Sequence, residues 1–100
     1  MSVKNLNSAT YCMMHPARIM IIQLLRERPS TFTEISKETG LSRQLVAYHM
    51  SFLETFNLLE SEYIFTEREG KRCASRQYRC SVVVEKVIKW AIEKLSRLQD

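Results

Sequence analysis

The side chains with the greatest chemical capacity here are basic, amide and hydroxyl groups, not nucleophiles or metal ligands. Arg43 and Gln44, followed by Ala47, Tyr48 and Ser51, lie off the apolar stripe formed by Val46, Met50 and Leu53, so a helix would turn them outward together. Arginine and glutamine can pair two hydrogen bonds with guanine and adenine edges, and Tyr48 offers a hydroxyl beside a flat apolar face. A second group is cationic. Residues 70–80 hold Lys71, Arg72, Arg76 and Arg79 without an acid, whereas residues 60–69 hold Glu60, Glu62, Glu67 and Glu69 against Arg68 alone. Such a stripe suits phosphate. Each group has a plainer reading: a polar helix face is usually just solvated, and the arginines could serve solubility, partly neutralised by Glu62, Glu67 and Glu69.

Other chemistries lack their parts. There is no GxSxG, no phosphate-cradling glycine loop and no HExxH, and two histidines with scattered carboxylates assemble no triad. The chain is not expected to be an enzyme or to carry a cofactor. Cys12 and His15 have a C-x-x-H spacing that could donate two metal ligands, but tetrahedral zinc usually needs four and no partners stand nearby, so no metal site is assigned. Cys12, Cys73 and Cys80 form an odd set without a close pair, which excludes a disulfide scaffold. On one strand, Cys73 and Cys80 would sit about 23 Å apart, beyond bonding reach.

Composition agrees with a single folded unit. One hundred residues suffice for one core and not two, and 45% apolar with 26% charged residues is ordinary for a globular domain. No apolar run approaches a membrane span. The N-terminus lacks a basic stretch followed by an apolar one, so no secretory leader is expected and the cytoplasm is the expected location. A net charge of +4 permits an anionic partner without demanding one.

Local signals then place the elements. Ala17, Met20, Ile21, Leu24 and Leu25 form the stripe of a half-buried helix from Pro16 to Arg26, opened by His15-Pro16 and closed by Pro29. Thr31-Phe32-Thr33-Glu34 is a capping box that starts a short helix, Phe32 to Glu38, ended by Gly40 in the left-handed conformation. Ser42 caps a third helix, Arg43 to about Phe56, with Asn57 at its left-handed exit. From Leu59 the period shifts towards two: Tyr63 to Thr66 and Cys73 to Cys80 read as strands joined around Gly70. Val82 to Leu98 is a final helix with a seam of Val84, Ile88, Ala91, Leu95 and Leu98, widened by Val87, Trp90 and Ile92. That is more apolar surface than a core this small should bury, which implies a partner helix from a second copy. Leu6, Tyr11, Met13 and Met14 are candidates for the same interface.

This order is that of a winged helix-turn-helix, mainly α with a β-hairpin wing. Residues 15–80 resemble the ArsR-like family of prokaryotic regulators. The matching residues are His15-Pro16-Ala17-Arg18, the Leu41-Ser42 turn, Val46-Ala47-Tyr48-His49-Met50, Phe56-Asn57-Leu58-Leu59 and Tyr78-Arg79-Cys80. The resemblance implies a homodimeric regulator, most simply a repressor, bound to double-stranded DNA. Ser42, Arg43, Gln44, Ala47, Tyr48, His49 and Ser51 would enter the major groove, with His49, where the family habitually has histidine, on phosphate. Thr31 and Thr33 would meet phosphate at the short helix, and Arg68, Lys71, Arg72 and Arg76 from the wing. Residues 1–14 and 81–100 would form the dimer, through Val84, Val87, Ile88, Ala91, Leu95 and Leu98. Many relatives carry Cys-x-Cys on the short helix, which here reads Phe32-Thr33-Glu34-Ile35-Ser36, so that metal site does not transfer. Cys80 is expected inside the base of the wing and Cys73 as the exposed thiol. A protein-interaction module, or a sensor responding to metal or oxidation at Cys12 or Cys73, are the alternatives, and a small-molecule or metal effector is left unassigned.

Overall fold

A computed structural model describes the backbone of residues 3–98 and the side chains of residues 6–97. The elements are α1 (Val3–Met13), α2 (Pro16–Glu27), β1 (Ser30–Thr31), α3 (Phe32–Thr39), α4 (Arg43–Thr55), β2 (Leu59–Arg68), β3 (Lys71–Cys80) and α5 (Val82–Leu98). It is a winged helix-turn-helix framed by two further helices. The core gathers Ile21, Ile35, Val46, Leu53, Leu58, Val84 and Val87, all essentially inaccessible to solvent, so α2 to α5 each give a stripe to one interior.

Chemistry local to each terminus sets the helix ends. His15 caps α2 by accepting from the Ala17 amide at 3.1 Å, and Pro16 fills the first turn. The capping box of α3 is complete: the Glu34 amide donates to Thr31 Oγ1 at 3.3 Å and the Thr31 amide to Glu34 Oε1 at 3.1 Å. Gly40 (φ 75°) ends α3, as its type allows. At the end of α4, the Leu58 amide reaches the Leu53 carbonyl and the Asn57 amide the Glu54 carbonyl, both at 3.0 Å, with Asn57 left-handed (φ 58°).

The hairpin is longer than its alternation suggested. β2 and β3 pair without a break from Leu59 with Cys80 to Arg68 with Lys71. Both turn residues have positive φ, Glu69 at 52° and Gly70 at 75°, the pattern of a two-residue turn whose twist matches the strands. A third strand, too short to leave a periodic signal, completes an antiparallel sheet in the order β1-β3-β2, with Ser30 opposite Tyr78 and Thr31 opposite Gln77.

Candidate nucleic-acid interface

Helix α4 is fixed from beneath and open above. Ser42 accepts from the Leu45 amide at 3.2 Å, and Val46, Met50 and Leu53 are buried. That seating leaves Ser42, Arg43, Gln44, Ala47, Tyr48 and Ser51 exposed on one helix, as their spacing predicts. Arg43 leans over the Phe32 ring (5.6 Å), and Ser51 donates its hydroxyl to the Tyr48 carbonyl at 2.8 Å, leaving Ser51 only its acceptor capacity. Sequence reading missed Leu45, 47% exposed beside these residues, and Phe52, whose ring meets Tyr48 edge-on at 5.0 Å. Both lie off the Val46-Met50-Leu53 stripe, and that spacing was the available signal. Leucine at such a place can touch a thymine methyl.

His49 departs from expectation. It is 5% exposed and cannot offer its ring to a phosphate outside. Its Nδ1 accepts from Arg18 Nε at 3.2 Å, and its ring lies 4.5 Å from that of His15. Burial, reinforced by the charges of His15 and Arg18, lowers its pKa below the usual histidine value and favours the neutral ring. The physical reason is position: His49 follows Val46 by three, at the edge of the buried stripe.

Thr31 is also partly occupied. Its hydroxyl and amide are both taken up by the capping box, and the Glu34 carboxylate stands at the amino end of α3, where it disfavours a further anion. Thr33 is exposed. In the wing, Arg68, Lys71, Arg72 and Arg76 are exposed and take part in no ion pair among the described residues. The neutralisation expected across the hairpin falls on Arg79, which pairs with Glu60 at 3.1 Å and Glu62 at 3.4 Å. Arg72 stacks over Phe65 at 4.5 Å, while Arg76 donates to Ser61 Oγ at 2.9 Å. Those contacts orient the guanidinium groups without cancelling their charge.

The α5 surface needs a larger correction. Val84 and Val87, expected to meet a second copy, are 0% and 1% exposed inside the chain's own core, because that face of α5 closes over the other helices. Ile88 and Ala91 are half-buried, Ile88 against the core, and Leu95 is exposed; Leu98 belongs to α5, but its side chain lies outside the described residues. Met13 is likewise core and Leu6 packs against it, whereas Tyr11 and Met14 are open to solvent. An apolar surface therefore remains, made of Tyr11 and Met14 from α1 and the α1–α2 junction with Ile92 and Leu95 from α5; Tyr11, Met14 and Leu95 line a cleft of about 330 Å³ together with Trp90.

Cys12 is buried, while Cys73 and Cys80 are both half-buried. Cys73 is thus less open than expected; it lines a cleft between the start of α3 and the wing. Burial pushes the Cys80 thiol up to about 11, which fits a small apolar role at the base of the wing. No group of three or more metal-ligating side chains occurs among the described residues.

Comparison with known proteins agrees with this geometry. Residues 15–61 match the family model of the bacterial regulatory proteins of the arsR family. A helix-turn-helix-type transcriptional regulator of Methanocaldococcus jannaschii is 34% identical over 58 residues, which is 58% of this chain and 61% of that relative. Among solved structures, reduced HlyU from Vibrio cholerae superposes with a TM-score of 0.67 at 22% identity, covering 95% of this chain and 88% of that one. The solution structure of a homodimeric winged helix-turn-helix DNA-binding domain from Mycobacterium bovis, described as a possible ArsR-family regulator, gives 0.65 at 14% identity, covering 95% and 80%. Residues 15–61 thus match the arsR family of bacterial regulatory proteins, and the fold along the chain is that of the winged helix-turn-helix.

Proposed function

We propose that this ArsR-like chain is a homodimeric, sequence-specific regulator of transcription that binds double-stranded DNA and represses by occupying a two-fold symmetric site. The observation that carries the reading is α4: Arg43, Gln44 and Tyr48 stand exposed on a helix whose opposite face is locked into the core. Such a helix can bring base-reading groups to the major groove without losing its own support. Ala47 and Ser51 complete that face, Ser42 and Thr33 adjoin phosphate at the helix starts, and Arg68, Lys71, Arg72 and Arg76 supply backbone or minor-groove contacts.

Dimerisation rests on the Tyr11, Met14, Ile92 and Leu95 surface, with the half-buried Ile88 and Ala91 beside it. The M. bovis neighbour's homodimeric state supports the same arrangement here. No described helix is long and apolar enough to cross a membrane, which accords with a regulator acting in the cytoplasm. No effector is assigned.

Selecting bound duplexes from a random DNA pool tests the reading directly. A recovered inverted repeat, shifted in a gel despite excess polyanion, is the expected result. Recovery of no common sequence would remove the specific-regulator reading and favour a protein-interaction module, for which the exposed Tyr63 and Phe65 of the wing would be the natural contact.

A further inference from the structure

Arg18 makes contacts that the reading above leaves without a purpose. It is partly buried on α2, and the ion pairs among the described residues do not include it. Its guanidinium spends its donors elsewhere: Nη1 donates to the Cys12 carbonyl in the last turn of α1 at 3.0 Å, and Nε donates to His49 Nδ1 at 3.2 Å. Its Cζ also lies 4.3 Å from the centroid of Phe52. One planar group thus touches the end of α1 and two residues of α4.

The contacts continue outward. Phe52 meets Tyr48 edge-on, with ring centroids 5.0 Å apart and planes at 76°, and Tyr48 meets His49 at 5.1 Å and 74°. Tyr48 is more than half exposed, so the aromatic neighbours below it limit where its ring can stand. The hydrogen bond from Arg18 also fixes the state of His49, because an acceptor Nδ1 must carry no proton. The charges acting on His49 come from His15, ahead of α2, and from Arg18 itself, and its burial also resists protonation.

We propose that Arg18 is a positioning residue for the DNA-reading face: it clamps Phe52 and His49 of α4 to the end of α1 and thereby sets the orientation of Tyr48. The inference rests on the proposed DNA reading for its consequence, not for its geometry. A planar, fixed fork is needed to satisfy a carbonyl, an imidazole and a ring at once, so lysine would not replace it. Because the same fork holds the α1 terminus, a change in how α1 packs against a second copy would reach Tyr48 by this route.

The test is a double-mutant cycle read by affinity and by spectroscopy. Wild type, Arg18→Gln, Tyr48→Ala and the double variant are titrated against a duplex selected from a random pool and against a random duplex of equal length. Arg18→Gln should lose about tenfold in the ratio of the two affinities while random binding holds, as expected for one displaced reading contact. The double variant should lose no more than Tyr48→Ala alone. Independent, additive losses would overturn the proposal. In the free protein, the Tyr48 ring proton resonances should move in Arg18→Gln, and unmoved resonances would equally overturn it. Should wild type prefer no duplex, the DNA-reading proposal falls and the Tyr48 resonances decide the positioning role alone. If Arg18→Gln does not fold, Phe52→Leu, at a partly exposed position, carries the same cycle and the same resonance test.

Discussion

Helices α4 and α5 are built alike on the inside and differently on the outside. Each gives residues to the core with essentially no solvent exposure, Val46 and Leu53 from α4, Val84 and Val87 from α5. Outward, α4 shows arginine, glutamine, serine and a tyrosine, whereas α5 shows Ile92 and Leu95 near exposed Tyr11 and Met14. Inner faces report only that a helix belongs to a domain. The outer face carries the information about partners, polar and hydrogen-bonding for a nucleic acid, apolar for another protein.

The contrast is broken most severely by placing a charge on each side of α5. Val87→Glu buries an unpaired carboxylate in the core and should cost roughly 4 kcal/mol or more, enough to unfold a small domain, as seen by loss of the circular dichroism transition. Leu95→Glu should leave the helical signal intact and shift the sedimentation coefficient from dimer to monomer. Equal unfolding by both would place Leu95 in the core.

Truncations in α4 sharpen the same division. Leu53→Ala should destabilise by about 2 to 5 kcal/mol in urea titration, because it leaves a cavity among fully buried neighbours. Gln44→Ala and Tyr48→Ala should change stability by less than about 0.5 kcal/mol and cost about 1 to 3 kcal/mol in binding to a selected duplex.

A smaller effect is expected at the amino end of α3. Thr31→Ala removes one half of the capping box and should cost about 1 kcal/mol. The Glu34 carboxyl is held below its ordinary value by its hydrogen bonds with Thr31. The stabilisation from this carboxylate is therefore fully present above the ordinary carboxylate range and lost as pH falls through the depressed value. Denaturant midpoints of wild type and Glu34→Ala, which removes the carboxylate itself, should draw together in acid, and a constant gap down to low pH would contradict the assignment.

The wing carries the smallest change in stability and a separable change in binding. Arg79→Ala breaks exposed pairs with Glu60 and Glu62 and should alter stability by less than about 0.5 kcal/mol. Arg72→Ala should lower the slope of log affinity against log salt by roughly one per lost phosphate contact, on selected and random duplexes alike. A sequence-dependent loss at Arg72 would make the wing a reader of sequence.

Legibility followed how local each signal was. The starts of α2, α3 and α4 were readable because Pro16, the Thr31-Glu34 box and Ser42 act within one turn, and the exits at Gly40 and Asn57 because their types suit positive φ. Strand β1 left no pattern, since two residues have no period and Ser30 and Thr31 are strand only through Tyr78 and Gln77. Val84 and Val87 were assigned to a partner because a stripe says that a face is apolar and not what covers it. His49 was misplaced by its position at the border between faces, where only the fold shows that Arg18 waits beneath. Glu69 was invisible as a left-handed residue, because nothing in its type asks for that conformation.

The pairing of Ser30 with Tyr78 has a topological consequence. The strand pair closes a chain loop that contains α3, α4 and β2, and it is held by two residue pairs at one point, with Ser30 completely enclosed. The entropy of closing such a loop rises only logarithmically with its length. Added residues at the exposed Glu69-Gly70 tip would therefore lengthen the wing at little energetic cost, so its reach can vary among descendants while the clasp stays unchanged. Severing the clasp would instead free one edge of the sheet, while Leu59 and Tyr78 would still tie the base of the hairpin to the helices through the core.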